Sequence, residues 1–251
     1  MKGKGYGIVY ILDALGASFY SDEKIEQFLN ARKDINKILS KQAKHLDSND
    51  KKSNVSTYTF GDTLIVVIPL DKSKPLIQSI QISFFMMQNY LFHSLEKGIL
   101  YRGAFSIGNY IADEESNTVM GEAITDAASW YEKSEWMGLA STPKTNNIIE
   151  YEYEYPGVHD PMFVSYYPVP MKDKRKINLY TISWAGRFFH ENDKYNPKQY
   201  FLKLLKEHPI PLGTENKIIN TKNYFYDIEK EILSNKSLEK EQVKTADNSS
   251  L

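Results

Sequence analysis

Two hydrophobic periods alternate along the first 142 residues, and their order constrains the fold more than any other feature. Residues 8–12 (IVYIL) form an unbroken apolar run between Gly7 and Asp-Ala-Leu-Gly, which predicts a central strand ending in a tight turn. From Ser21 the period becomes helical. Ile25, Phe28, Leu29, Arg32, Ile35, Ile38 and Leu39 share one face, predicting a helix over 22–45 capped by Ser21 or Asp22. After a polar loop at 45–54, residues 55–58 and 64–69 read as strands around Phe60-Gly61-Asp62-Thr63, a hairpin with an acid at its tip. Pro75 opens a second helix that stops at Gly98, and residues 99–110 read as a strand interrupted by glycines. Ala123, Ile124, Ala127, Ala128 and Tyr131 predict a third helix within 121–136, whose alanines imply close backbone packing. Strand, helix, hairpin, helix, strand, helix is an α+β order. It predicts a ferredoxin-like or palm arrangement, an antiparallel sheet with helices on one face.

Beyond Gly138 the pattern gives strands at 147–153, 163–167 and 178–183, helices at 197–206 and 224–234, and a frayed or disordered polar end from Asn235. We therefore expect a core over 1–142, an extension of the same domain over 143–234 and a tail over 235–251. At 251 residues the chain suffices for one domain or two small ones. The absence of Cys excludes a disulfide scaffold, thiolate nucleophiles and Cys-ligated metals, and it suits a reducing compartment. With 31 Lys+Arg against 32 Asp+Glu, the balance argues against a general nucleic-acid binder. Lys2 and Lys4 ahead of an apolar run superficially copy a signal peptide, but Asp13 breaks that run, and no stretch approaches the about 20 apolar residues that span a bilayer. A cytoplasmic protein without a membrane partner is expected. The 18 Tyr and 12 Phe against 3 Trp suggest a strand-rich interior or a base-stacking surface.

Carboxylates, lysines and hydroxyls must then supply the chemistry. Asp13 ends the first strand and Asp62 tips the hairpin, so in a palm-like sheet the two can meet on one edge. Neighbouring carboxylates repel unless a divalent cation joins them, and hard oxygen ligands select Mg²⁺ or Mn²⁺. Paired cations about 3.5–4 Å apart are a recurring device of phosphoryl chemistry. Gly16 and Ala17 leave the following turn unobstructed, so its N–H groups could cradle a polyphosphate. Each acid also has an ordinary reading, as a turn-former or a helix cap. His93 and His159 show no triad or metal-site spacing.

At these residues the chain resembles a class III nucleotidyl cyclase. The likeness lies in Ile11-Leu-Asp-Ala-Leu-Gly-Ala-Ser18, Phe60-Gly-Asp-Thr63, Arg102-Gly-Ala-Phe-Ser-Ile-Gly108 and Gly121-Glu-Ala-Ile-Thr-Asp-Ala-Ala-Ser129, across residues 6–142. The resemblance implies that Asp13 and Asp62, with the backbone carbonyl of Ala14, hold two divalent cations. It also implies that Gly16, Ala17, Ser18, Gly61 and Tyr58 line the nucleotide. Purine cyclases carry Lys or Glu four residues before the hairpin Asp, where this chain has Tyr58. Their transition-state Asn and Arg appear here as Thr125 and Ser129. These departures resemble the pyrimidine cyclases of bacterial Pycsar anti-phage defence, as does the later segment Tyr166-Tyr-Pro-Val-Pro-Met-Lys172. The implied reaction turns UTP, or CTP, into the 3′,5′-cyclic monophosphate and pyrophosphate, the product acting on a separate effector. A head-to-tail homodimer with sites at its interface is also implied.

A Tyr58 ring could shorten the pocket against purines and present a hydroxyl to a pyrimidine edge, or it could simply pack across strands. Arg102 and Lys172 are candidates for the missing phosphate contacts, although the run Lys172, Lys174, Arg175 equally fits a solvated surface. A degenerate domain that binds a nucleotide without turnover is the competing reading. A diguanylate cyclase is weaker, because its Gly-Gly-Asp/Glu-Glu-Phe hairpin is not matched.

Overall fold

A computed structural model describes residues 2–46, 55–70, 75–152, 160–190, 195–208 and 213–248. His159, loop residues 47–54 and the last residues of the tail, 249–251, lie outside these segments. The first strand, β1 (Lys2–Ala14), extends well beyond its apolar centre in both directions. Helix α1 (Asp22–Leu46) starts where Ser21 accepts at Oγ from the Lys24 N–H. The hairpin is β2 (Ser56–Phe60) and β3 (Thr63–Pro69), followed by α2 (Leu76–Glu96) and β4 (Tyr101–Asp113). The short β5 (Thr118–Met120) folds back on β4 before α3 (Glu122–Ala128).

These elements make a sheet in the order β2-β3-β1-β4, with every adjacent pair antiparallel. That is the ferredoxin-like order expected from the sequence. The sheet then continues through β6 (Gly138–Ser141), which pairs parallel to β4, to the hairpin of β7 (Val164–Pro170) and β8 (Lys176–Ile182). Period-2 alternation divides β1 between two layers. Ile8, Tyr10 and Leu12 face the main core with Ile35 and Leu39 of α1 and Phe84, Met87 and Leu91 of α2. Val9 and Ile11 face Tyr58, Ile65, Tyr110, Ala123 and Ala127 in a smaller layer.

Five expectations are corrected. Helices cover both faces, because α3 lies on the side opposite α1 and α2, and its alanines allow the approach: a Cβ on Gly108 would lie 3.5 Å from that of Ala123. The glycines do not interrupt β4. Gly103 instead lets β1 come close, since a Cβ there would sit 1.9 Å from the Ile11 carbonyl oxygen. The third helix ends at Ala128, where the Ser129 hydroxyl turns back to the Asp126 carbonyl, and the chain leaves to join β7 through Glu135 N–H to Pro170 O. Residues 147–152 are helical in α4 (Pro143–Glu152), not extended. Helix α5 (Pro197–Lys206) has its expected bounds, and α6 (Glu215–Asn248) both starts earlier and runs on past Ser234.

Candidate active site

Asp13 is the penultimate residue of β1, with Thr63 of β3 opposite it on one side and Arg102 of β4 on the other. Phe60 pairs with Thr63, so the β2–β3 loop is the dipeptide Gly61-Asp62. Gly61 takes φ 61° while Asp62 does not turn positive, the pattern of a II′ hairpin, which places glycine first. Asp62 is therefore bonded to the residue facing Asp13. The register brings the two acids to one end of the sheet, as the sequence predicted.

The electrostatics match that placement. Burial raises the Asp13 carboxyl above its ordinary range, and the Asp62 and Glu132 carboxylates add to the rise while Arg102 opposes it. Arg102 Nη2 donates to Asp13 Oδ2 at 2.9 Å and Nε donates to the same oxygen at 3.2 Å. Nη1 donates to the Glu132 carbonyl at 3.4 Å. With both contacts on Oδ2, Arg102 fixes the Asp13 carboxylate and leaves Oδ1 to other partners. Asp62 also raises the Tyr20 phenol, whose shift comes mainly from burial.

Arg32 of α1 steadies the hairpin from the other face. It is nearly buried, donates from Nη1 to the Gly61 carbonyl at 2.8 Å, and lies 4.9 Å from the Phe28 ring centre. In the sequence it was only a charged residue on an apolar helical face. That mismatch was the signal, because an Arg among Phe28, Ile35 and Leu39 needs an acceptor.

The turn after β1 is tied back by Leu15 N–H to Leu100 O at 2.8 Å. Gly16 takes φ 80°, and Ala17–Phe19 forms a 3₁₀ turn in which Phe19 and Tyr20 donate to Gly16 O and Ala17 O. Among the described residues, no backbone carbonyl accepts from the N–H of Gly16, Ala17 or Ser18. These groups stay available to an anion.

The other predicted residues are more dispersed. Tyr58 shares the sheet face of Asp13 but is only 1% exposed, and its hydroxyl, near Ser56, makes no hydrogen bond of good geometry. The structure thus gives it the cross-strand packing that the sequence also allowed. Two residues along β2, Phe60 is 49% exposed at the hairpin end. Thr125 on α3 and Ser129 just after its end are exposed, but their hydroxyls donate to the carbonyls of Gly121 and Asp126. Between them, Asp126 accepts from Ser106 Oγ at 2.7 Å and Thr142 Oγ1 at 2.5 Å, anchoring α3 to the sheet. Lys172 is exposed on the β7–β8 turn, whereas Arg175 pairs with Asp173.

Two carboxylates, one adjacent arginine and free N–H groups suit a divalent cation bound with a phosphate. Among the described residues no group of three His, Cys, Asp or Glu could cage a metal. Mg²⁺-type sites fit this economy, because one or two carboxylates plus water and substrate phosphates complete them.

No family model matches the chain, and no curated protein does. It is similar in structure to the adenylyl cyclase CyaB from P. aeruginosa, at 14% identity over 72% of this chain and 95% of that one, TM-score 0.42. It is also similar to the catalytic core of a rhodopsin-guanylyl cyclase with converted specificity, at 16% identity over 72% of this chain and 97% of that one, TM-score 0.45. A third likeness is to an adenylate/guanylate cyclase/hydrolase from Silicibacter pomeroyi, at 16% identity over 72% of this chain and 98% of that one, TM-score 0.43.

Proposed function

We propose that this protein is a metal-dependent nucleotidyl cyclase that converts UTP into 3′,5′-cyclic UMP and pyrophosphate, with CTP and cyclic CMP as the nearest variant. The observation that carries the reading is the meeting of Asp13 and Asp62 at one end of a ferredoxin-like sheet. In this reading residues 1–142 are the cyclase core, 143–234 its extension and 235–251 a tail. The protein works in the cytoplasm as a head-to-tail homodimer, and its product is a second messenger for a separate effector in anti-phage defence. No described helix is long and apolar enough to cross a membrane.

Asp13 and Asp62 would hold two divalent cations, Mn²⁺ or Mg²⁺, with the Ala14 carbonyl as a further oxygen ligand. When bound, the cations supply a lowered pKa at the ribose 3′-hydroxyl and neutralisation of charge on the phosphates. The residues of the chain do the rest. Arg102 keeps the Asp13 carboxylate in one orientation, and Arg32 keeps the hairpin tip in register. The N–H groups of Gly16, Ala17 and Ser18 meet phosphate oxygens. The 3′-oxygen then attacks the α-phosphorus in line, the α–β bridging bond breaks, and the hydroxyl proton passes to water.

Pyrimidine preference rests on Tyr58 standing where purine cyclases carry a charged base reader. In its buried position the ring acts by filling space beside the site rather than by lying open to solvent.

Incubation with each of the four nucleoside triphosphates and Mn²⁺, with products identified by mass spectrometry, tests the proposal. Cyclic UMP or CMP as the main product is expected, and cyclic purine nucleotides as the main products would overturn the specificity. One observation favours a second reading, a nucleotide-binding sensor: the Thr125 and Ser129 hydroxyls are spent on their own helix. Metal-dependent UTP binding with no cyclic product from any nucleotide would select it.

A further inference from the structure

Three cations from separate parts of the chain, one of them the partner of Asp13, are anchored to one segment, 132–138. Arg102 faces Gly138 across the parallel pairing of β4 with β6 and donates to the Glu132 carbonyl. Lys172 is held there by its N–H to the Lys133 carbonyl, at 2.8 Å, next to the Ser134–Met171 bridge. Lys217 arrives on the first turn of α6. The next turn is fixed by Asn220 Nδ2 to Glu135 O at 2.7 Å and by Met137 N–H to Thr221 Oγ1 at 2.9 Å. Thr221 Oγ1 in turn donates to Lys217 O at 2.6 Å, so the lysine sits on a braced turn.

These cations are unequally satisfied. Arg102 is paired with Asp13, and the neighbouring Lys133 ammonium lies over the Trp130 ring, 4.1 Å from its centre. Among the described residues, neither Lys172 nor Lys217 forms a salt bridge. Burial, Arg102 and Lys172 lower the Lys217 ammonium below the ordinary lysine range, while Glu135 and Asp13 oppose them. Gathering like charges on a partly buried turn is unfavourable until an anion joins them. The anion best matched to several converging N–H donors is a polyphosphate.

We propose that Lys217, with Lys172 and Arg102, forms a polyphosphate seat that holds the triphosphate tail and the departing pyrophosphate. Assigning that polyphosphate to a nucleotide substrate rests on the cyclase reading, whereas the seat itself does not. Lys217 lies outside every motif of the family resemblance and comes from the C-terminal helix. The seat therefore joins α6 to the site at the end of β1.

Titration calorimetry with inorganic pyrophosphate and tripolyphosphate, on the full chain in EDTA, reads the seat without turnover. Lys217→Met is expected to weaken binding about tenfold, and Lys217→Arg to restore most of it. Lys198→Ala, on α5, should bind as wild type, and far-UV circular dichroism verifies that each variant is folded. Unchanged pyrophosphate affinity in Lys217→Met, or no binding by the wild type, overturns the proposal. Lys217-dependent binding in a protein that makes no cyclic product would uphold the seat and remove the cyclase reading. Cyclic UMP formation with the same pyrophosphate inhibition in wild type and Lys217→Met would do the reverse.

Discussion

Arg102 and Asp13 are both nearly buried, so their ion pair is worth more as an arrangement than as a surface contact. Removing the guanidinium would leave Asp13 buried, unpaired and close to Asp62. Arg102→Ala should therefore cost about 3 kcal/mol of stability, read as a shift in urea midpoint. A loss below about 0.5 kcal/mol would show that the pair is screened like an exposed one. Tyr58 permits a cleaner separation of packing from recognition. Its hydroxyl has no good partner, so Tyr58→Phe should leave stability within about 0.5 kcal/mol. If the hydroxyl meets the pyrimidine, that variant raises the UTP KM while unfolding unchanged. An unaltered KM limits Tyr58 to filling space, and Tyr58→Ala should then relax the discrimination against purines.

Among the elements, the hairpin and α1 act together. Arg32 is the link between them, so Arg32→Ala should loosen the Gly61-Asp62 turn and cost about 1.5–3 kcal/mol, the range for a hydrogen bond from a charged donor. Activity should fall with a weaker apparent Mn²⁺ affinity, and Arg32→Lys should recover part of it. Equal Mn²⁺ dependence in wild type and Arg32→Ala would rule out a positioning role. Here the sequence was a good guide to the elements and a poor one to their partners. The meeting of Asp13 with Asp62 was legible because it follows from the order of the elements and the length of the hairpin, both of which the hydrophobic pattern gives. Arg32 and Lys217 were not, because their contacts depend on how helices distant in sequence pack. Residues 147–153 read as a strand in the sequence, although Thr142 and Pro143 before them form a helix start and 147–152 are helical in α4. Thr142 Oγ1 does accept the Thr145 N–H, at 3.2 Å. For α6, Ile218, Tyr224, Phe225, Ile228 and Ile232 are buried, whereas 233–238 are exposed. Phe225→Ala should cost about 3–5 kcal/mol, and truncation after Ser234 should leave the unfolding midpoint nearly unchanged. A large loss on truncation would mean that the later turns pack against something.

Across the whole molecule, the surplus of tyrosine noted in the sequence resolves mainly into packing. Tyr10, Tyr58, Tyr90, Tyr101 and Tyr224 are fully buried. Burial pushes the Tyr101 phenol up to about 12 and Tyr90 well above its usual range. The folded state thus keeps protons that the unfolded chain releases near pH 10, so stability is intact below that pH and falls as pH rises toward 12. Urea titrations across that interval should show the decline, and Tyr101→Phe should make it shallower. A flat profile would contradict the burial. The sheet and its helices exist, on this account, to bring two acids to one end and to set arginines behind them. The most direct test is the rate of cyclic product formation from UTP and Mn²⁺ in Asp62→Ala, whose half-exposed position should leave the fold intact. A loss of at least about a hundredfold is expected, equivalent to ~3 kcal/mol of barrier. A folded Asp62→Ala protein that makes cyclic UMP at the wild-type rate would contradict it.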